Sequence, residues 1–262
     1  MSDALLVDRH GHTTVFTLNR PERRNSYDTE LVESIKEAMI YFDEDPDQHV
    51  GILTGAGDLA FSSGSDLATD RTDPRRRRPG LLEHVEMFGV GAVSKPMIAG
   101  VNGLAVGGGL ELALNCDIRI ASERAWFGLF EPKRGIVAGV AVHLLPRMIS
   151  FGDAAWMLLT AERVPAAEAH RMGLVQKVVS HDDLLEECLA VAKTIGALSQ
   201  VSVQATKRVM SMRRNAMLTE SMVLYREIME RVVLAGDQDE GMRAFAGKRD
   251  PSFPNRWPSK DR

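Results

Sequence analysis

The stretch Lys95-Pro-Met-Ile-Ala-Gly-Val-Asn-Gly-Leu-Ala-Val-Gly-Gly-Gly-Leu-Glu-Leu-Ala-Leu-Asn-Cys-Asp117 constrains the fold more than any other part of this chain. An apolar strand, Met97 to Val101, runs through Asn102-Gly103 and the triplet Gly107-Gly108-Gly109 directly into a helical pattern from Leu110 to about Cys116. Three glycines between a strand and a helix let a ligand come close to the unsatisfied amides at the helix start, where the helix dipole favours negative charge. The same glycines equally suit a tight strand-to-helix packing turn, so the residues alone leave both readings open.

The segments on either side predict a mixed α/β fold. Ala4 to Asp8 and Thr13 to Leu18 read as short strands separated by His-Gly-His. In a helix from about Thr29 to Asp43, Leu31, Ile35, Met39 and Phe42 share one apolar face. Val50 to Thr54 is a further strand, and strand–helix–strand implies a crossover with parallel pairing. From Ala68 to Gly80, through Arg75-Arg76-Arg77-Arg78, apolar periodicity is lost and a surface loop is expected. Leu81 to Val93 regains helical spacing, Ile118 to Ala121 is a strand, and helical patterns follow at 140–149, 152–160 and 165–172. Leu174 to Val179 reads as the last strand. Beyond Asp182 the pattern is helical almost to Gly247, so a mixed region gives way to an all-helical one.

Composition narrows the function classes. Lys and Arg total 32 against 36 Asp and Glu, a net charge of −4, which argues against a surface devoted to nucleic acid. Cys116 and Cys188 are far apart and form no CxxC pair, which fits a reducing cytoplasm and offers no zinc set. None of the seven histidines, His143 included, forms a pair at zincin-like spacing. An early charge at the start of the chain and the lack of a long apolar run predict a soluble protein without a signal peptide or membrane span. Ser63-Gly64-Ser65 is not a Gly-x-Ser-x-Gly nucleophile elbow, so a serine hydrolase is disfavoured.

Three blocks in order carry a family resemblance: Asn19-Arg-Pro-Glu-Arg-Arg-Asn25, Leu53-Thr-Gly-Ala-Gly-Asp-Leu-Ala-Phe-Ser-Ser-Gly-Ser-Asp-Leu67, and the glycine-triplet stretch. Phe127-Gly-Leu-Phe-Glu-Pro-Lys-Arg-Gly-Ile136, Gly173-Leu-Val and Phe245-Ala-Gly-Lys-Arg249 extend it over most of the chain. Together they resemble the enoyl-CoA hydratase/isomerase (crotonase) superfamily.

That resemblance implies a spiral of repeated ββα turns with a core over 1–195 and a helical C-terminal region over 196–262 that builds a trimer or a dimer of trimers. It further implies an acyl-CoA thioester substrate, no metal or redox cofactor, and reversible syn addition of water to a trans-2-enoyl-CoA. The backbone N–H groups of Ser65 and Gly108 would form an oxyanion hole, and Glu111 and Glu131 would be the acid and base. From the residues alone, the favoured reading is that Glu111 complements a helix dipole and Glu131 is a surface acid. Gly139 would position water, while Arg23 and Arg24, with Phe245 and Lys248 from a neighbouring subunit, would meet CoA. An isolated Arg pair is as readily a solvated surface, and the Arg75–Arg78 run reads first as a solvated loop.

The chain departs from the family pattern where Gly135-Ile-Val-Ala-Gly-Val-Ala-Val142 lacks a Pro and a later Gly pair, and where Phe130 replaces the usual Pro before Glu131. Both changes bear on acyl specificity. A double-bond isomerase is the nearest rival. From a different class comes a non-catalytic acyl-CoA- or RNA-binding homologue, against which the two glutamates and the acidic balance speak.

Overall fold

The computed structural model describes residues 3–66, 86–215 and 217–253. The chain opens with a hairpin in which β1 (Leu5–His10) runs antiparallel to β2 (Thr13–Leu18), turning at Gly11 with φ +62°. Helix α1 (Thr29–Glu44) is capped by Asp28, whose carboxylate accepts the Leu31 N–H at 3.0 Å. β3 (Val50–Gly55) then lies parallel to β2, the crossover that strand–helix–strand order predicted.

From β3 onward one move repeats. A strand joins a first sheet, a short strand joins a second, and a helix or turn carries the chain back. β3 is followed by β4 (Ala60–Ser62), and β5 (Met97–Val101) by β6 (Leu104–Val106) and α2 (Gly108–Asn115). β7 (Ile118–Ser122) is followed by β8 (Trp126–Gly128), a 3-10 turn at Glu131–Arg134 and α3 (Ala141–Met148). Then come α4 (Phe151–Thr160), β9 (Val164–Pro165), α5 (Ala166–Arg171) and β10 (Lys177–Val179). The sheets have the orders β1-β2-β3-β5-β7-β10 and β4-β6-β8-β9, parallel except at β1/β2 and β8/β9. This is the spiral of ββα turns that the resemblance implied.

Both faces of the larger sheet are covered, which is why β3 and β5 read as unbroken apolar runs rather than alternating ones. Val15, Val50, Ile52, Ile98 and Ile120 pack against Leu184, Cys188 and Ala192 of α6 (Leu184–Gly196). Phe16, Leu53, Met97 and Ala99 face the other way, into a core shared with Leu31, Ile35 and Phe42 of α1 and with α2. The C-terminal helices α7 (Gln200–Asn215), α8 (Leu218–Ala235) and α9 (Asp237–Ala246) follow. Lys207 of α7 ties them to the sheet, donating to Lys95 O and to the Asp117 carboxylate, both at 2.7 Å.

Two expectations are corrected. The helix expected over Leu81 to Val93 begins outside the described residues, and 86–92 forms turns instead. There Met87, Phe88 and Gly89 take φ of +40°, +64° and +92°, a left-handed run that no helix accommodates. Leu174 and Val175 do not belong to the last strand, because their N–H groups bond to Ala169 O and pairing begins at Lys177. The Arg75–Arg78 run lies outside the described residues.

The asparagines of the family blocks turn out to be fasteners. Asn102 Nδ2 lies 2.9 Å from Gly55 O, 2.6 Å from Gly57 O and 3.1 Å from Ala60 O, while its Oδ1 accepts the Gly55 N–H. Asn25 Nδ2 reaches Ala56 O and Ala60 O from the other side. The carbonyls of Gly55, Ala56, Gly57 and Ala60 around the turn between β3 and β4 are therefore satisfied by side chains. Asn102→Ala strands these groups and is expected to lower unfolding free energy by about 2–3 kcal/mol, read as a lower denaturant midpoint at unchanged slope.

Candidate active site

The site is built where the end of β4 meets the start of α2. Ser62 is fully buried; its Oγ donates to Asn25 O at 2.7 Å and accepts the Gly64 N–H at 3.2 Å, setting the bend into Gly64. Gly64 takes φ +85°, and a methyl group there would lie 2.9 Å from Gly108 N, so the two loops touch backbone to backbone. Tyr27 pairs with the strip that follows, its N–H donating to Gly64 O and its carbonyl accepting from Asp66 N, both at 2.9 Å. The Tyr27 ring lies over Gly108, where a methyl group would fall 1.9 Å from the phenol oxygen. Among the described residues, neither Ser65 N–H nor Gly108 N–H has an acceptor, and both belong to these touching loops. Arg20 steadies the first loop by pairing with Asp66 at 3.1 Å and Asp28 at 3.0 Å.

Both predicted carboxylates converge on the same helix start. Glu111 lies in the first turn of α2, buried, its N–H bonded to Gly107 O at 3.0 Å. Its Oε1 accepts two amides from the beginning of α3, Val140 N at 2.7 Å and Ala141 N at 2.9 Å. Glu131, first residue of the 3-10 turn, is 8% exposed, and its Oε2 is buried without a hydrogen-bond partner. Its Oε1 lies so near Gly107 that a methyl group there would be 3.1 Å away. Burial, with the negative charge of Glu111 second, pushes the Glu131 carboxyl up to about 7. One acid is thus held by two main-chain amides, while burial favours the proton of the other.

The remaining candidates fall at the margins. Gly139 makes no hydrogen bond to either carboxylate among the described residues; the next two amides in the chain serve Glu111 instead. Arg23 and Arg24 are exposed at the 3-10 turn Pro21–Arg23, and Arg24 O accepts from Ser63 N at 3.0 Å, so the pair stands at the rim of the Ser65 loop. Phe245 packs on the guanidinium of Arg134 in its own chain, 4.9 Å from the ring centre, and Lys248 is exposed just beyond α9. Ser122, His181 and Asp58 form a hydrogen-bonded chain of 3.2 and 3.3 Å that resembles a hydrolytic triad. Ser122 is nonetheless fully buried and accepts Arg124 N, so it is a fastener rather than a nucleophile. Among the described residues no cluster of His, Cys, Asp or Glu could hold a metal, and no helix is long and apolar enough to cross a membrane.

Sequence reasoning missed Val140 and Ala141, which act through their backbones, and Tyr225, whose burial beside both glutamates depends on how α8 folds back.

Free main-chain donors beside a pair of buried acids are the equipment of enzymes that stabilise a developing negative charge while moving protons. Comparison with known proteins identifies which such enzymes these are. Residues 9–256 match the family described as enoyl-CoA hydratase/isomerase. An (E)-benzylidenesuccinyl-CoA hydratase from Thauera aromatica is 40% identical over 251 residues, covering 92% of this chain and 95% of that protein. The solved structure of a carnitinyl-CoA hydratase from Mycobacterium avium superposes with a TM-score of 0.86 at 33% identity, over 98% of this chain and 100% of the other. A monofunctional enoyl-CoA isomerase from M. smegmatis gives 0.69 at 36% identity, over 82% and 95%. The chain belongs to the enoyl-CoA hydratase/isomerase family.

The raised Glu131 carboxyl makes stability depend on pH in a defined direction. The folded protein holds this proton more tightly than the unfolded chain, whose carboxyl titrates near the ordinary 4.5. The group's contribution is therefore full below about 4.5, declines as pH rises toward 7, and is lost above it. Glu131→Gln carries no such charge. Between pH 4 and pH 8 its unfolding free energy is expected to gain on the wild type by on the order of 3 kcal/mol, measured as melting curves at both pH values.

Proposed function

We propose that this protein is an enoyl-CoA hydratase, adding water reversibly to trans-2-enoyl-CoA thioesters. The observation that carries this reading is the meeting of two amides that have no acceptor among the described residues, Ser65 N–H and Gly108 N–H, with two buried acids, one held by amides and one with its proton favoured by burial. The thioester oxygen sits between the two amides, which stabilise the negative charge it gains as the enolate forms. Glu111, fixed through Oε1, turns its other oxygen to water and accepts a proton as the water oxygen bonds to the β-carbon. Glu131, protonated up to about neutral pH, delivers a proton to the α-carbon. Atoms balance as one water per double bond, after which the proton on Glu111 passes to Glu131 or to solvent.

Gly139 N–H is available to hold the water, and Arg23 and Arg24 at the rim suit the phosphates of CoA. Phe245 and Lys248 would reach a neighbour's CoA site in a homotrimer or hexamer. Hydratases among the relatives support water addition. Isomerisation shuttles one proton between two carbons and needs only one such acid, so the retained second acid favours hydration. Because the related hydratases include one that acts on benzylidenesuccinyl-CoA, the acyl group to be tested includes aryl as well as straight chains.

Loss of the conjugated thioester absorbance with a mass gain of one water, across 2-enoyl-CoAs of increasing length and an aryl member, is the expected result. Glu111→Gln and Glu131→Gln are each expected to lower kcat at least about 100-fold, and wild-type hydration should decline as pH rises through about 7, where Glu131 ionises. Product of unchanged mass would replace this reading with isomerisation.

A further inference from the structure

The C-terminal helices do more than follow the core, because α9 docks on the turn that carries Glu131. A methyl group at Gly135, where φ is +65°, would lie 2.3 Å from the backbone of Asp237, and one at Gly241 would lie 2.3 Å from the backbone of Arg134. Phe245 closes the contact over Arg134. Two backbone-to-backbone approaches and a stacked guanidinium fix α9 against the 3-10 turn, and α8 joins α9 directly through Gly236.

Among the described residues, that placement brings the Tyr225 side chain of α8 to the site. The Tyr225 ring packs edge-on against His143 of α3, 5.6 Å between centres, and its hydroxyl reaches Val137 O at 3.4 Å. Val137 lies between the Glu131 turn and the amides that anchor Glu111. Burial, with the charges of Glu111 and Glu131 adding to it, pushes the phenol up to about 12, so it remains a donor throughout the working pH range. At 3.4 Å its bond to Val137 O is at the long end for a hydroxyl, and a better-placed oxygen displaces it readily.

We propose that Tyr225 is a further catalytic residue of this site, donating a hydrogen bond to the oxygen that is added to the β-carbon, first as water and then as the 3-hydroxyl of the product. The inference rests on the hydratase reading. Tyr225 exchanges no proton in the reaction; base and acid remain Glu111 and Glu131, and the phenol fixes where the oxygen sits between them. It also gives the site a means of recognising a hydroxylated acyl group that the two amides, which read only the thioester, do not have.

The test is Tyr225→Phe, which keeps the ring on His143 and removes only the hydroxyl. kcat for hydration should fall about tenfold while KM for the enoyl-CoA stays within about twofold. By calorimetry, affinity for a 3-hydroxyacyl-CoA should weaken about tenfold, with that for the saturated acyl-CoA of equal length unchanged. Equal kcat and equal affinities in both proteins would overturn the proposal, as would equal weakening toward both ligands, which marks a purely structural side chain. If the wild type itself fails to hydrate, the functional reading fails instead. The two binding measurements need no turnover and still decide the role of Tyr225.

Discussion

At the start of α2, Gly109 lies so close to Ser62 that a methyl group would stand 2.1 Å from its carbonyl oxygen, and Gly64 meets the Gly108 amide almost as tightly. Everything in the site follows from this approach of bare backbone to bare backbone. It sets Ser65 N–H and Gly108 N–H in neighbouring loops, and it leaves Gly107 open for the Glu131 carboxyl to lie against. The rest of the fold supplies what holds the loops so close. Asn25 and Asn102 bind the turn before β4, Ser62 braces the bend, and Arg20 pairs with Asp66 beyond it. Strain at Gly64 and Gly107, both at positive φ, is acceptable only because glycine stands there.

The two glutamates show how identical side chains acquire different chemistry from their surroundings. Glu111 receives two amides from the start of α3. Glu131 has an oxygen with no partner and an anion for a neighbour, and its proton is correspondingly hard to remove. The segment that differs from the family pattern, 135–142, runs directly between them. Even without that Pro and Gly pair, the amides of Val140 and Ala141 keep their grip on Glu111.

Much of this was legible in the chain itself, for reasons that differ by element. β3 and β5 are six and five residues long and buried on both faces, so their apolar runs announced them. β4, β6 and β9 have three, three and two residues, too few for any period, and the second sheet therefore went unread. The glycine triplet showed that backbone would approach something closely, and family blocks supplied the positions of Glu111 and Glu131. Nothing in the spacing reported Val140, Ala141 or Tyr225. The first two contribute groups every residue possesses, and the third is brought in by a docking contact between Gly135, Gly241 and distant backbone. Lys95, which opens the glycine-triplet stretch, is buried with its ammonium on Phe42 O and Asp45 O.

Ser65 N–H and Gly108 N–H, which have no acceptor among the described residues, belong to the main chain, so ordinary substitution does not delete them. An acid can be lost in one step, whereas the pair of amides disappears only if the glycine-to-backbone contact itself is wedged apart, which unsettles the fold. Descent from such a protein is therefore asymmetric. Under the proposed function, variants that lose Glu111 or Glu131 keep a place for a polarised carbonyl, and new reactions can be assembled around it by changing which groups look on from α3 and α8. The inheritance that persists is a position in space for an oxygen atom, and the chemistry performed on its neighbours is the part that selection is free to rewrite.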